Sequence, residues 1–187
     1  MKTKYILHGG NAQDVNEDND LFFSEILKDF SGEVNVLLVQ FAAIEEKQER
    51  YKQRHIVQFD RAKLGKKINY KVASVDEFVG QIEWADVVYL CGSPGGTPRL
   101  LKELNKFENL IPLFKGKTVA GESAGANCLA SYCFSKSGGI LQTLGCVPVR
   151  IIPHYETGME KMLNNFHEEL ELLLLPSYKF RVFEIDI

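Results

Sequence analysis

The sequence predicts an α/β protein with a mostly parallel sheet and helices on both faces. Short apolar runs alternate with longer amphipathic segments from one end of the chain to the other. That alternation is the signature of βα units. The apolar runs are also continuous rather than alternating, as expected of strands buried on both faces.

The elements follow in order. Tyr5-Ile6-Leu7-His8 reads as a strand ending in Gly9-Gly10. Asn19 to Phe30 carries Leu21, Phe22, Ile26 and Phe30 at helical spacing, with Ser31-Gly32 as its stop. Val34 to Phe41 is a second strand, Glu45 to Leu64 a charged and largely exposed helix, and Ile68 to Ala73 a third strand. Val75 to Ile82 reads as a short helix and Asp86 to Leu90 as a fourth strand. The loop Cys91-Gly92-Ser93-Pro94-Gly95-Gly96-Thr97 follows, then a helix from Pro98 to Phe107 with Thr97 as N-cap. Thr118-Val119-Ala120 is a strand, and Ala124 to Tyr132 a helix. Val147 to Ile152 is a strand ending at Pro153-His154. Glu160 to Leu170 reads as a helix, with late strands at 172–175 and 180–185.

With 187 residues and no linker, repeat or low-complexity stretch, residues 1–187 read as a single domain. The net charge is −3, and the basic stretches at 47–54 and 63–67 have acids nearby and no interleaved aromatics, which argues against nucleic acid as a partner. Cys91, Cys128, Cys133 and Cys146 form no Cys-x-x-Cys pair and have no His at ligand spacing, so they read as buried thiols. No metal or other cofactor is expected. Residues 1–10 lack a leader's cleavage site, and no apolar run approaches the ~20 residues that span a bilayer. A soluble, cytoplasmic protein with no membrane partner is the expectation.

Chemistry concentrates at Gly121-Glu122-Ser123-Ala124-Gly125-Ala126. Gly-x-Ser-x-Gly between a strand and a helix is the setting of a nucleophile elbow, where small flanking residues allow a sharp turn. Ser123 is the candidate nucleophile. The backbone N–H of Ala124 is placed to meet an oxyanion, and Gly95 or Gly96 of the second glycine-rich loop offers the other donor. Among the four His, His154 sits at the carboxyl end of a strand, where a base can reach a neighbouring βα turn. His55 and His167 read as surface residues, His8 as structural, and Glu122 as a solvent-facing turn residue.

These residues resemble the dipeptidase E and cyanophycinase family of serine peptidases. The similarity rests on Tyr5 to Gly10, on Asp86 to Leu101 with Gly95-Gly96-Thr97, on Gly121 to Ala126, and on Ile152-Pro153-His154-Tyr155. It implies a three-layer sandwich like that of class I glutamine amidotransferases (flavodoxin-like). It further implies Ser123 as nucleophile, His154 as base, an oxyanion hole from Gly95 and Ala124, and metal-free cleavage of short peptides, often next to an acidic residue. The implied partner is a small peptide, and the implied assembly a monomer or homodimer.

One part of the family pattern is missing. The family places an Asp or Glu between nucleophile and His, and residues 124–153 contain neither. Three readings stay open. Glu156, two residues past His154, is a candidate third member. A neutral acceptor such as Ser135, or a backbone carbonyl, would orient His154 in a slower enzyme. Or the fold retains binding with weakened or absent hydrolysis. A Cys nucleophile is disfavoured because the elbow holds Ser.

Overall fold

The computed structural model describes residues 2–186. Its centre is a six-stranded sheet in the order β10-β1-β5-β4-β2-β3. The strands are β1 (Lys2–His8), β2 (Glu33–Val39), β3 (Lys67–Val72), β4 (Val87–Leu90), β5 (Thr118–Glu122) and β10 (Phe180–Asp186). All pair in parallel except β10, which runs antiparallel to β1 along the edge.

Successive side chains of these strands enter opposite layers, as the two-residue period of a strand requires. Val34, Val36 and Leu38 face α1 (Glu17–Leu27) and α2 (Glu45–Ala62), where Phe22, Phe23, Phe59 and Tyr89 pack ring against ring. Leu37, Val39, Val88 and Leu90 face the other way, toward α3 (Phe78–Trp84), α4 (Thr97–Leu104), α5 (Leu110–Leu113) and α6 (Ala124–Leu129). The result is the three-layer α/β arrangement expected from the continuous apolar strands. The N-terminal half follows the sequence reading to within a few residues.

The second half differs. The helix expected from Ala124 to Tyr132 stops at Leu129, and Ala130–Ser135 continues as β6. Ser131, Tyr132 and Phe134 have modest helix propensity, and a neighbour decides: β6 pairs with β7 (Gly139–Gln142) and β8 (Val147–Pro153), and β8 with β9 (Glu171–Leu175). This second sheet packs on the same apolar cluster as α4 and α6, through Cys133, Val149, Ile151 and Leu173. The helix expected over 160–170 is only a 3-10 turn, Met159–Met162. Arg150 explains the difference. Buried, it donates to the carbonyls of Leu163, Phe166 and Leu170, which draws that segment into a non-helical wrap. Thr97 is not an N-cap. It is the first residue of α4, and its hydroxyl accepts from Asn127 Nδ2.

All four cysteines are buried and unpaired with one another. Among the described residues, no helix is long and apolar enough to cross a membrane.

Candidate active site

Three strand ends meet at one edge of the main sheet. In register, His8 of β1 lies opposite Glu122 of β5, and Leu90 of β4 opposite Gly121. Gly9-Gly10, Cys91-Gly92 and Ser123 therefore emerge side by side, the usual location of ligand sites in open α/β sheets. The second sheet brings β8 to the same edge, because the backbone N–H of His154 donates to the Gly9 carbonyl at 2.8 Å.

Ser123 sits in a tight elbow at φ 50°, ψ −107°, a conformation that costs a non-glycine residue about 1–3 kcal/mol. The elbow forms because its flanks are bare. A Cβ on Gly121 would lie 2.5 Å from the Gly125 carbonyl carbon, and one on Gly125 would lie 2.1 Å from the Leu90 carbonyl oxygen. The strand and helix could not approach so closely with any other residue there. The turn lifts the Ser123 hydroxyl into a cavity of about 460 Å³ that is also lined by Asn11, Ser93, Lys136, His154 and Met159.

His154 faces it. Its Nε2 lies 3.0 Å from Ser123 Oγ, and its Nδ1 lies 3.0 Å from Ser177 Oγ. Burial pushes the His154 pKa below its ordinary value, aided by Lys136 and opposed by Glu122 and Glu156. The imidazole is therefore neutral at neutral pH and can accept a proton. With Nδ1–H donating to Ser177, Nε2 is free to accept from the Ser123 hydroxyl.

Ser177 was not visible as a site residue in the sequence. It follows Pro176 just past β9, and β9 is the parallel neighbour of β8, with Pro153 opposite Leu175. Two strand ends in that register place His154 and Ser177 side by side. The available signal was a polar residue two positions after the apolar run at 172–175.

Glu156 does not fill the third position. It is exposed, its backbone N–H points at Met159 Sδ, and Ser177 occupies Nδ1. Glu156 acts on His154 only through its charge. Ser135 is buried in the cavity wall and pairs with Ser137, not with His154. The serine beside His154 Nδ1 is Ser177 instead. Gly96 is also corrected as an oxyanion donor, since its N–H closes a turn onto the Ser93 carbonyl at 2.9 Å. Gly95, at φ +66°, lines the cavity, and Ala124 directly follows Ser123 as the first residue of α6.

Two further corrections concern residues expected at the surface. Glu122 is 1 % exposed and His55 fully buried. Glu122 accepts from His55 Nε2 at 2.7 Å, from Ala12 N–H at 2.9 Å and from Gly92 N–H at 3.2 Å. A charged residue at an elbow carries no sequence signal of burial. Its cation is 67 positions away, on α2.

A family model described as peptidase family S51 matches residues 5–175. The chain belongs to peptidase family S51. It is a serine hydrolase of peptidase type, and two solved structures agree with it in architecture. A peptidase from an acI-B1 Actinobacterium superposes with a TM-score of 0.68 at 22 % identity, over 98 % of this chain and 84 % of that one. A putative peptidase E protein from Listeria monocytogenes EGD-e superposes with a TM-score of 0.66 at 18 % identity, over the whole of both chains. At such identities the likeness speaks for the fold. A search of curated proteins found no match.

A contribution follows for Ser177. A neutral hydrogen bond is worth about 0.5–1.5 kcal/mol net, so Ser177→Ala is expected to slow reaction at Ser123 by roughly 2- to 10-fold. Labelling of Ser123 by a fluorophosphonate, timed in both proteins, measures this. Equal rates would mean that Ser177 does not orient the ring.

Proposed function

We propose that this S51 peptidase hydrolyses short peptides or related amides through Ser123 and His154, with Ser177 in place of the usual acid. The observation that carries the reading is the 3.0 Å contact between Ser123 Oγ and His154 Nε2, within reach for general-base activation.

The steps follow from the geometry. His154 Nε2 takes the hydroxyl proton as Ser123 Oγ attacks the scissile carbonyl. The carbonyl oxygen becomes an oxyanion, stabilised by the N–H groups of Ala124 and Gly95. His154 then returns the proton to the leaving amine, leaving an acyl group on Ser123. Water, deprotonated by His154, releases the acid. Ser177 holds the ring in the tautomer that keeps Nε2 available. As a neutral group it does less for the imidazolium than a carboxylate does. A slow enzyme that retains binding is therefore the second reading, favoured by that one substitution.

The test is labelling by a fluorophosphonate of the wild-type protein and of Ser123→Ala. Labelling of the wild type alone is expected, and equal labelling of both would refute the assignment. The rate should also follow a single protonation of His154. Because burial lowers its pKa, the acid limb of the rate profile is expected below the ordinary His value of about 6.5.

A further inference from the structure

Among the described residues, Glu122 is the only carboxylate that lines the cavity, and it directly precedes Ser123 in the chain. Its side chain is buried, yet it makes three hydrogen bonds, each to a different element. Ala12 lies in the turn after β1, Gly92 in the loop after β4, and His55 on α2. These are the segments that flank the elbow. A buried carboxylate without such partners would be expelled or neutralised, so the arrangement is built around its charge.

We propose that Glu122 is the positioning residue of this site, fastening the Gly92 loop and the Ala12 turn around Ser123 and supplying the negative charge that His154, paired with a neutral serine, otherwise lacks. The proposal rests on the reading of Ser123 and His154 as nucleophile and base.

The charges around both groups support it. Glu122 is faced by His55 from α2, His8 from β1, Tyr89 from β4 and Cys91 from the loop after it. Burial works to raise the Glu122 pKa, but His55, His8 and the Ala12 N–H outweigh it, and the carboxyl is held below its usual range. His154 is faced by Glu122 from β5, Lys136 from the turn after β6, and Glu156 from its own loop, and it in turn acts on His8. Of its two carboxylates, Glu156 is exposed and screened, and Glu122 is buried. As the proton moves from Ser123 to His154, the imidazolium forms in the field of Glu122. A carboxylate in a triad does the same by direct contact.

The test uses Glu122→Gln, which keeps the volume and one of the two acceptor oxygens (Oε1 accepts from Gly92 and Oε2 from Ala12) while removing the charge. The His154 ring is titrated by NMR, and the maximal rate and half-saturation of fluorophosphonate labelling are measured across pH. Loss of a nearby negative charge lowers the pKa of a His. The His154 midpoint and the acid limb are therefore expected to move to lower pH. The maximal labelling rate should fall about 10-fold, with half-saturation changed less than about 3-fold.

An unmoved midpoint would overturn the proposal, because a purely structural role leaves the titration in place. A change confined to half-saturation would also overturn it. Glu122→Asp is the second variant. It keeps the charge on a shorter arm, so the midpoint is expected to stay near wild type while the rate falls. A midpoint that drops with Asp as it does with Gln would refute the electrostatic role. Ser123→Ala separates the two readings. If it still labels, the nucleophile assignment fails, whatever Glu122→Gln does to His154.

Discussion

Replacing Gly10 with alanine should slow fluorophosphonate labelling of Ser123 by on the order of 100-fold or more. Gly10 lies beneath the His154 ring. A Cβ there would come within 2.2 Å of both Cε1 and Nε2 and 2.9 Å of Nδ1. Those atoms cannot interpenetrate, so the imidazole must move by about 1 Å or more, and misplacement on that scale costs about 100-fold. Gly10 also has φ +119°, which adds backbone strain of about 1–3 kcal/mol for alanine. The ring borders an open cavity and can swing outward, so the fold should survive. Thermal melting checks that survival, and the labelling rate checks the site. Wild-type labelling by a folded Gly10→Ala protein would show that the His154 position does not matter to the chemistry.

The second large effect concerns stability. Removing one partner of a buried ion pair strands the other charge, at a cost of about 3–5 kcal/mol. His55→Ala does this to Glu122 and should cost that much, a large share of a typical domain's 5–15 kcal/mol. The loss should depend on pH. Burial opposes a charge on His55, and the Glu122 carboxylate it touches outweighs that, so its pKa is held above the ordinary value. Burial also raises the Cys91 thiol above its ordinary value. It is therefore neutral near pH 7, where Glu122 is the charge that His55 meets.

A raised folded-state pKa stabilises fully below the unfolded value of about 6.5 and progressively less as pH climbs through the folded one. Glu122, held low, stabilises above about 4.5 and loses its effect as pH falls through its folded pKa. The stability gap between wild type and His55→Ala should therefore be widest near pH 6 and should narrow as the pH climbs through the raised His55 value. Denaturant unfolding at several pH values measures it. A gap of under about 1 kcal/mol at pH 6 would contradict the ion pair.

Local sequence was most informative where a structure closes over adjacent residues. The elbow needs Gly121, Ser123 and Gly125 within one turn, and their steric requirement is written in consecutive positions. The strands of the main sheet were legible for a related reason. Burial on both faces demands unbroken apolar runs, and Val36 to Val39 and Val87 to Leu90 are such runs. Tyr132 and Phe134 in β6 are different. They follow a helix without a break, and only pairing with β7 and β8 makes them a strand.

By itself, then, the sequence determined the α/β layering, the Ser123 elbow and the place of His154 at a strand end, since each depends on short-range sterics or on apolar periodicity. The tertiary structure alone decided the groups behind them. Ser177 reaches His154 because β8 and β9 run in register, and Glu122 keeps its charge because α2 delivers His55 from 67 positions away. Both are long-range contacts between polar residues. Polar residues have no periodicity that announces burial, so nothing in the chain's linear order marks them as partners.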